Sequence, residues 1–480
     1  MLQKISCKLL SCKVLSLVAS MLLSFAAVSE TATGEPSVDF RHGRLKVSEN
    51  KRFLVHENGT PFFYLGDTAW ELFHRLNREE ADKYLTNRTK NGFTVIQAVV
   101  IAELDGLRTP NAYGYTPFHD MDSRRPNEAY FAHVDYIVNK AESLGLYIGM
   151  LPAWGRWVGG ADGDRPDSNF FNAENAADYG RFLARRYANK PIIWVLGGDR
   201  LADSTAQVWG AMAAGIRDIV GNRQLITFHP RGGRSSSQWF HRADWLDFNM
   251  LQSGHSATST NYTPIERDYA MEPPKPTFDG EPAYEYPPDA MPEKRPVGAL
   301  QVRRNACWAV FAGAHGHTYG THPIWQMYDE GRKPLWDVVT PWHRSLDLPG
   351  ATQLIHLKRL MLSRPYLTRI PDQSVIVSEP PAGIERIQVT RDGRPGQNDA
   401  TYILAYFPSH HPVTLNTSRI AAATLRGWWY NPRAGEATSI GEMAKGATMR
   451  FEPPTNVEGE DWILVLDDAS KKYPAPGKPE

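Results

Sequence analysis

The chain has 480 residues, 53 basic and 53 acidic, so its formal net charge is zero. That balance excludes an electrostatic hold on nucleic acid or on an anionic membrane as its main partnership. The length, with 42% hydrophobic residues, fits a globular protein of one large and one small domain.

Residues 1–29 read as a secretory signal: Lys4, Lys8 and Lys13, then an apolar run from Val14 to Val28, with small residues at Ala26, Ala27 and Ser29. The run is shorter than the ~20 residues of a membrane span, so no stable membrane insertion is expected. Cys7 and Cys12 would leave with the signal. Cys307 alone remains, which admits no intrachain disulfide and suits a bacterial periplasmic or secreted protein.

Val38 to Asn58 reads as a short β-hairpin lead-in, Leu45-Lys-Val and Phe53-Leu-Val, with Asn58-Gly59 as its turn. Eight apolar runs follow as strands: 62–66, 94–100, 147–152, 192–198, 224–229, 248–252, 276–281 and 313–319. Between them, Asn77-Arg-Glu-Glu80 reads as a capping box for a helix through Lys90. Phe131, Val134, Ile137, Val138 and Ala141 keep helical spacing up to Gly145; Tyr179, Phe182, Leu183 and Tyr187 give another stripe. Ser204-Thr-Ala-Gln207 is expected to cap a helix carrying Trp209, Met212 and Ile216, and residues 296–311 supply a further helix. This alternation predicts an α/β fold, a (β/α)8 TIM barrel over residues 38–368. A doubly wound sheet is the rival, but no glycine-rich phosphate turn follows the first strand. From Ile370 the runs become short strands between turns, Val375-Ile-Val, Ile387-Gln-Val and Tyr402-Ile-Leu-Ala-Tyr among them, predicting a β-sandwich over 370–469, then a disordered tail over 470–480.

Functional residues of a barrel gather at the C-terminal ends of its strands. Those ends hold Asp67, Trp70, Gln97, Trp154, Asp199, His229, Gln252, Glu281, His317 and Tyr319. Acids, amides, imidazoles and indoles suit hydroxyl recognition, so an oligosaccharide or polysaccharide is the expected partner. Two runs end on an acid, Pro191-Ile-Ile-Trp-Val-Leu-Gly-Gly-Asp199 and Pro276-Thr-Phe-Asp-Gly-Glu281. Two carboxylates so placed are what glycoside hydrolysis needs, one as proton donor and one as nucleophile or base. Asp199 and Glu281 are therefore the expected catalytic pair, with the other eight binding substrate. The structural alternatives are a helix N-cap for Asp199 and an arginine salt bridge for Glu281. Asp279 alternates onto the face of Glu281 as a rival, and Glu103 and Glu285 are weaker competitors on loops. The run His315-Gly-His-Thr-Tyr-Gly-Thr-His322 lacks a zinc spacing, so neither metal nor cofactor is expected. The loop from Glu103 to Arg125, with Arg108, Tyr113, Tyr115, Arg124 and Arg125, is expected to wall a subsite for an acidic glycan.

Phe63-Tyr-Leu-Gly-Asp-Thr-Ala-Trp70, Gly92-Phe-Thr-Val-Ile-Gln97, Trp194-Val-Leu-Gly-Gly-Asp199, Asp279-Gly-Glu-Pro-Ala-Tyr284 and Ala314-His-Gly-His-Thr-Tyr-Gly320 resemble the apiosidase-like bacterial proteins of glycoside hydrolase family 140. The resemblance runs from about Val38 to Asp468 and includes a C-terminal domain often labelled collagen-binding. It implies action on apiose-linked side chains of rhamnogalacturonan II, a pectin, with Asp199 as acid/base and Glu281 as nucleophile in a retaining mechanism. The alternatives are a glycosidase of the same fold acting on another furanoside or pyranoside, and a non-catalytic glycan-binding or adhesion protein.

Overall fold

Strands covered on both faces read as unbroken apolar runs, and parallel barrel strands are covered on both faces. The computed structural model describes residues 36–159, 169–293, 296–336 and 338–478; the expected signal lies outside them. The eight runs form β1 (Tyr64–Thr68), β2 (Val95–Ile101), β3 (Tyr147–Ala153), β4 (Ile192–Gly197), β5 (Ile226–His229), β6 (Asn249–Gln252), β7 (Thr277–Asp279) and β8 (Gly316–Tyr319). They pair in parallel in the order β5-β4-β3-β2-β1-β8-β7-β6. The seam between β5 and β6 is drawn together by Asp247 N–H donating to the Ile226 carbonyl at 2.9 Å and Thr227 Oγ1 donating to the Phe248 carbonyl at 2.7 Å. The result is a nearly closed barrel, with the short strand Arg234–Ser235 added antiparallel to β6.

A helix follows each strand: α1 (Arg78–Lys90), α2 (Glu128–Ser143), α3 (Ala173–Tyr187), α4 (Ala206–Val220), α5 (Ser237–Phe240), α6 (Tyr262–Tyr269), α7 (Ala299–Phe311) and α8 (Pro349–Leu362), with an added single turn, Leu72–Arg75 after β1 and His322–Trp325 after β8. The capping box at α1 is present in full: Asn77 accepts from Glu80 N–H, and Glu80 accepts from Asn77 N–H, each at 2.9 Å. Such a cap stabilises a helix by about 1 kcal/mol. At α4 the expected Ser204 cap does not form; Thr205 is the N-cap and its side chain accepts no capping bond. In the lead-in, Asn58-Gly59 turns Leu54–His56 into Pro61–Phe62, which makes three strands rather than a hairpin.

The C-terminal domain is a six-stranded antiparallel sheet with a two-stranded ribbon, Val413–Leu415 with Met449–Phe451. The sheet buries both faces. Ile403, Ala405 and Phe407 join the domain's own core, while Tyr402, Leu404 and Tyr406 join the barrel's core. Two buried ion pairs cross the same boundary: Arg303 of α7 with Asp461 at 2.7 Å, and Arg364, just after α8, with Asp467 at 2.8 Å. The expected strand at Val375 is a 3-10 turn. The polar, mostly exposed strand Glu436–Ala444 carries no apolar signal from which it could be read. The tail expected to be disordered is packed through residue 478. Tyr473 bonds Thr401 at 2.8 Å, and Arg364 donates to the Pro474 carbonyl at 3.0 Å; burying these residues outweighs the polar composition that suggested disorder.

Removing one partner of a buried ion pair strands the other charge. Asp461→Ala is expected to lower stability by about 3–5 kcal/mol, measured by denaturant unfolding, because Arg303 loses its carboxylate partner, keeping Gln353 alone, and the Tyr406 hydroxyl loses its acceptor.

Candidate active site

At the end of β4 the chain runs Gly197-Gly198-Asp199, all three with positive φ, at 88°, 133° and 52°. A Cβ on Gly197 would strike the His229 carbonyl, and one on Gly198 the Trp154 ring. Only glycine fits that approach. Asp199 itself sits in the left-handed region, a sparsely populated conformation for a residue with a side chain and one that concentrates at functional sites. It is not the N-cap of α4, which starts seven residues later at Ala206.

That backbone turn aims Asp199 N–H at His229 Nδ1, 3.3 Å away. With Nδ1 accepting, His229 carries its proton on Nε2 and donates it to Glu281 Oε2 at 2.6 Å. His229 is fully buried and packed against Trp70 and Trp154, with ring centroids at 5.2 and 5.7 Å. On the other side, His255 Nδ1 donates to the Pro282 carbonyl at 3.1 Å, and its Nε2 lies 3.2 Å from Glu281 Oε1. Both ring nitrogens of His255 thus face acceptors, the arrangement of an imidazolium. Burial opposes that charge, but the Glu281 carboxylate raises the His255 pKa overall. For Glu281, burial alone would favour the neutral acid; the hydrogen bonds from His229 and His255 outweigh it and hold the carboxyl well below the usual range. Asp199 moves the other way, pushed up by burial and then by the charge of Glu281.

Asp199 and Glu281 line one cavity of about 350 Å³, with Trp70, Trp154 and Gln252 of the expected binding residues. Glu103, Arg231, His255, Tyr284 and Trp336 complete much of its wall. Tyr284, whose hydroxyl lies against Glu281, belongs to a run singled out in the sequence without a role for that residue. His255 follows β6 by three residues through a Ser-Gly turn, and only that position past a strand end marks it. A larger cavity of about 490 Å³ opens at the opposite, N-terminal end of the barrel, near Arg44, Glu57 and Lys190. That is the face on which barrels build stability rather than chemistry, and it brings together no carboxyl pair of this kind.

Five expected binding residues are not in that lining: His229 is fully buried and spends its Nε2 on Glu281 rather than on substrate, and four lie elsewhere. Asp67 points outward between barrel and helices, where Arg88 of α1 donates to it at 2.6 Å and Tyr84 also bonds it. Tyr319 pairs in register with Asp67, shares its outward face and donates to Glu285 at 2.7 Å. His317, two residues earlier on the same face, is wholly buried, and burial takes its pKa down to about 3, so it is neutral. Gln97 faces the barrel interior beneath the cavity and donates to the Gly280 carbonyl at 3.0 Å, which anchors the residue before Glu281. The rival Asp279 also points outward. It accepts from Ser253 at 2.7 Å and from Asn261 at 2.9 Å, and so ties the exits of β6 and β7 together. The strand ends at Asp279, so the alternation that would put Glu281 on the same face stops at Gly280. The expected arginine wall is spent on ion pairs: Arg108 with Asp105, Arg124 with Glu174 and Arg125 with Asp120. Among the described residues no helix is long and apolar enough to cross a membrane.

A barrel whose C-terminal mouth holds one carboxyl driven toward ionisation and another toward protonation has the layout of a glycoside hydrolase. Residues 48–368 match the family model described as "Apiosidase-like, catalytic domain", and 370–467 match "Putative collagen-binding domain of a collagenase". The chain belongs to the apiosidase-like family and is a glycoside hydrolase. It is similar to a solved structure described as "Glycoside hydrolase", at 36% identity and a TM-score of 0.82 over 91% of this chain and 99% of that one. It is equally similar to a glycoside hydrolase family 5 structure from Bacteroides vulgatus ATCC 8482, at 36% identity and a TM-score of 0.83 over 91% and 96%. No curated protein matches it.

Carbon-13 titration of the side-chain carboxyls tests the electrostatics directly. In His255→Ala, Glu281 loses one of its two donors, so its pKa is expected to rise relative to wild type; an unchanged titration would separate His255 from Glu281.

Proposed function

We propose that this glycoside hydrolase is an exported enzyme that removes apiose-linked side chains from rhamnogalacturonan II with retention of configuration. Asp199 gives its proton to the glycosidic oxygen as Glu281 attacks the anomeric carbon. The carbon–oxygen bond to the leaving group breaks, and a glycosyl ester forms on Glu281. Asp199, now ionised, takes a proton from water, which displaces Glu281 and restores both groups. The observation that carries these roles is the split between the two carboxyls in one cavity: two imidazoles hold Glu281 ionised, while burial and that same charge keep Asp199 protonatable. Tyr284 and Gln252 offer hydroxyl and amide contacts to the sugar, and Trp70 and Trp154 offer apolar ring surface. The apiosidase-like family supports the sugar, and the basic and apolar N-terminal run supports export.

Digestion of rhamnogalacturonan II with products read by mass spectrometry tests substrate and acid together. Wild type is expected to release an apiose-terminated oligosaccharide, and Asp199→Asn to be slower by about 10²–10⁴-fold. Glu281→Ala should be inactive on its own and recover partly with azide, which takes the nucleophile's place on the anomeric carbon. Full activity in Glu281→Ala would sink the assignment.

The pH profile has a worked sign. Asp199 must be protonated and its pKa is raised, so kcat/KM should fall as pH rises through that value. Glu281 must be ionised and its pKa is lowered, so the acid limb should lie below that of an ordinary glutamate. A profile that rises toward alkaline pH would contradict both roles.

A further inference from the structure

A third carboxyl faces the same cavity. Glu103 stands two residues beyond the end of β2, partly exposed, and lines the cavity with Asp199 and Glu281. Its backbone is pinned on each side. Trp157 Nε1 donates to the Ala102 carbonyl at 3.1 Å, Arg156 Nη1 to the Glu103 carbonyl at 3.0 Å, and Leu104 N–H to Glu71 Oε1 at 2.9 Å. A side chain on so fixed a backbone is presented, not merely tolerated. Yet among the described residues its carboxyl has neither a hydrogen bond nor an ion pair.

Several of the surrounding charges are already committed. Glu281 takes both imidazoles. Arg200 donates to the Asp199 carbonyl at 2.8 Å and lies 3.8 Å from its carboxylate. Glu71 behind the loop is served by His74 at 2.7 Å and Arg75 at 3.8 Å. Glu103 therefore lies among three acids, Asp199, Glu71 and Glu281; Arg200, weighted toward Asp199, opposes them, while Arg156 is held at the Glu103 backbone carbonyl. Like charges at close quarters cannot all ionise, and the carboxyl without a donor keeps its proton.

We propose that Glu103 is a substrate-binding residue that works as a neutral carboxylic acid, donating a hydrogen bond to a hydroxyl of the bound glycan. This rests on the cavity being the glycosidase site proposed above. A neutral donor at this point selects a hydroxylated ligand without adding a third negative charge beside the reacting carbon. Burial first, then Asp199 and Glu71, take its pKa up to about 8. Hydroxyl binding should therefore weaken as pH rises through that value, because the ionised group can only accept.

The two amide and alanine variants separate the possibilities. Glu103→Gln keeps a donor and no charge, and should hold KM on rhamnogalacturonan II within about twofold of wild type; Glu103→Ala loses the donor and should raise KM by about tenfold. Infrared difference spectra, wild type minus Glu103→Gln, need no substrate. They should show a protonated carboxyl at neutral pH that disappears as pH passes about 8. Absence of that band overturns the proposal. So does a Glu103→Gln variant as slow as Asp199→Asn, which would make Glu103 a proton-transfer group, or an unchanged KM in both variants. If Asp199→Asn proves fully active, the assignment of the catalytic pair falls instead, and the infrared result still decides the state of Glu103.

Discussion

Glu281 is an ionised carboxylate that is 5% exposed at the mouth of a barrel. Stripping water from such a group costs several kcal/mol, and charge-assisted hydrogen bonds return about 1.5–3 kcal/mol each. Two imidazole donors bring the balance close to even, and one would not. The site is arranged around that requirement. His229 can donate from Nε2 only because Asp199 N–H occupies Nδ1, and Asp199 N–H reaches it only because Gly197 and Gly198 let β4 turn against β5. His255 comes to the opposite oxygen from the exit of β6, which Asp279 ties to the exit of β7 through Ser253. The two carboxyls of the proposed mechanism are thus mechanically linked through one histidine.

The same interaction sorts the acids by role. Burial first raises the cost of ionising Asp199 and Glu103; the charge on Glu281 adds to it strongly for Asp199 and least for Glu103, where Asp199 and Glu71 weigh more. Pairs whose environments drive their pKa values apart are how one pocket holds acid and base at the same pH.

Much of this was legible in the amino-acid order. All eight strands and the glycine-led acid at β4 could be read, because apolar runs bounded by turn residues mark buried parallel strands. What could not be read was which way a strand's side chains point. Alternation signals facing only when one face is polar, and here both are buried. Asp67, Tyr319 and His317 were therefore assigned to the cavity when the register sets them against the helices. Asp279 and Glu281 are two residues apart, but the strand stops between them. His255 and Tyr284 sit on loops past strand ends, where no periodicity applies and only the folded chain shows what they meet.

The C-terminal domain bears on the site through the same layer. Its central sheet gives one face to its own ribbon and the other to the barrel, so that face has no surface left for a ligand. Asp461 grips Arg303 of α7; two residues on, the Asn305 carbonyl accepts from Asn261, whose amide also bonds Asp279. A chain of direct contacts therefore runs from the small domain through α7 to the clamp that holds the β6 and β7 exits in register. The small domain is thus joined by direct contacts to the strand exits that carry His255 and Glu281.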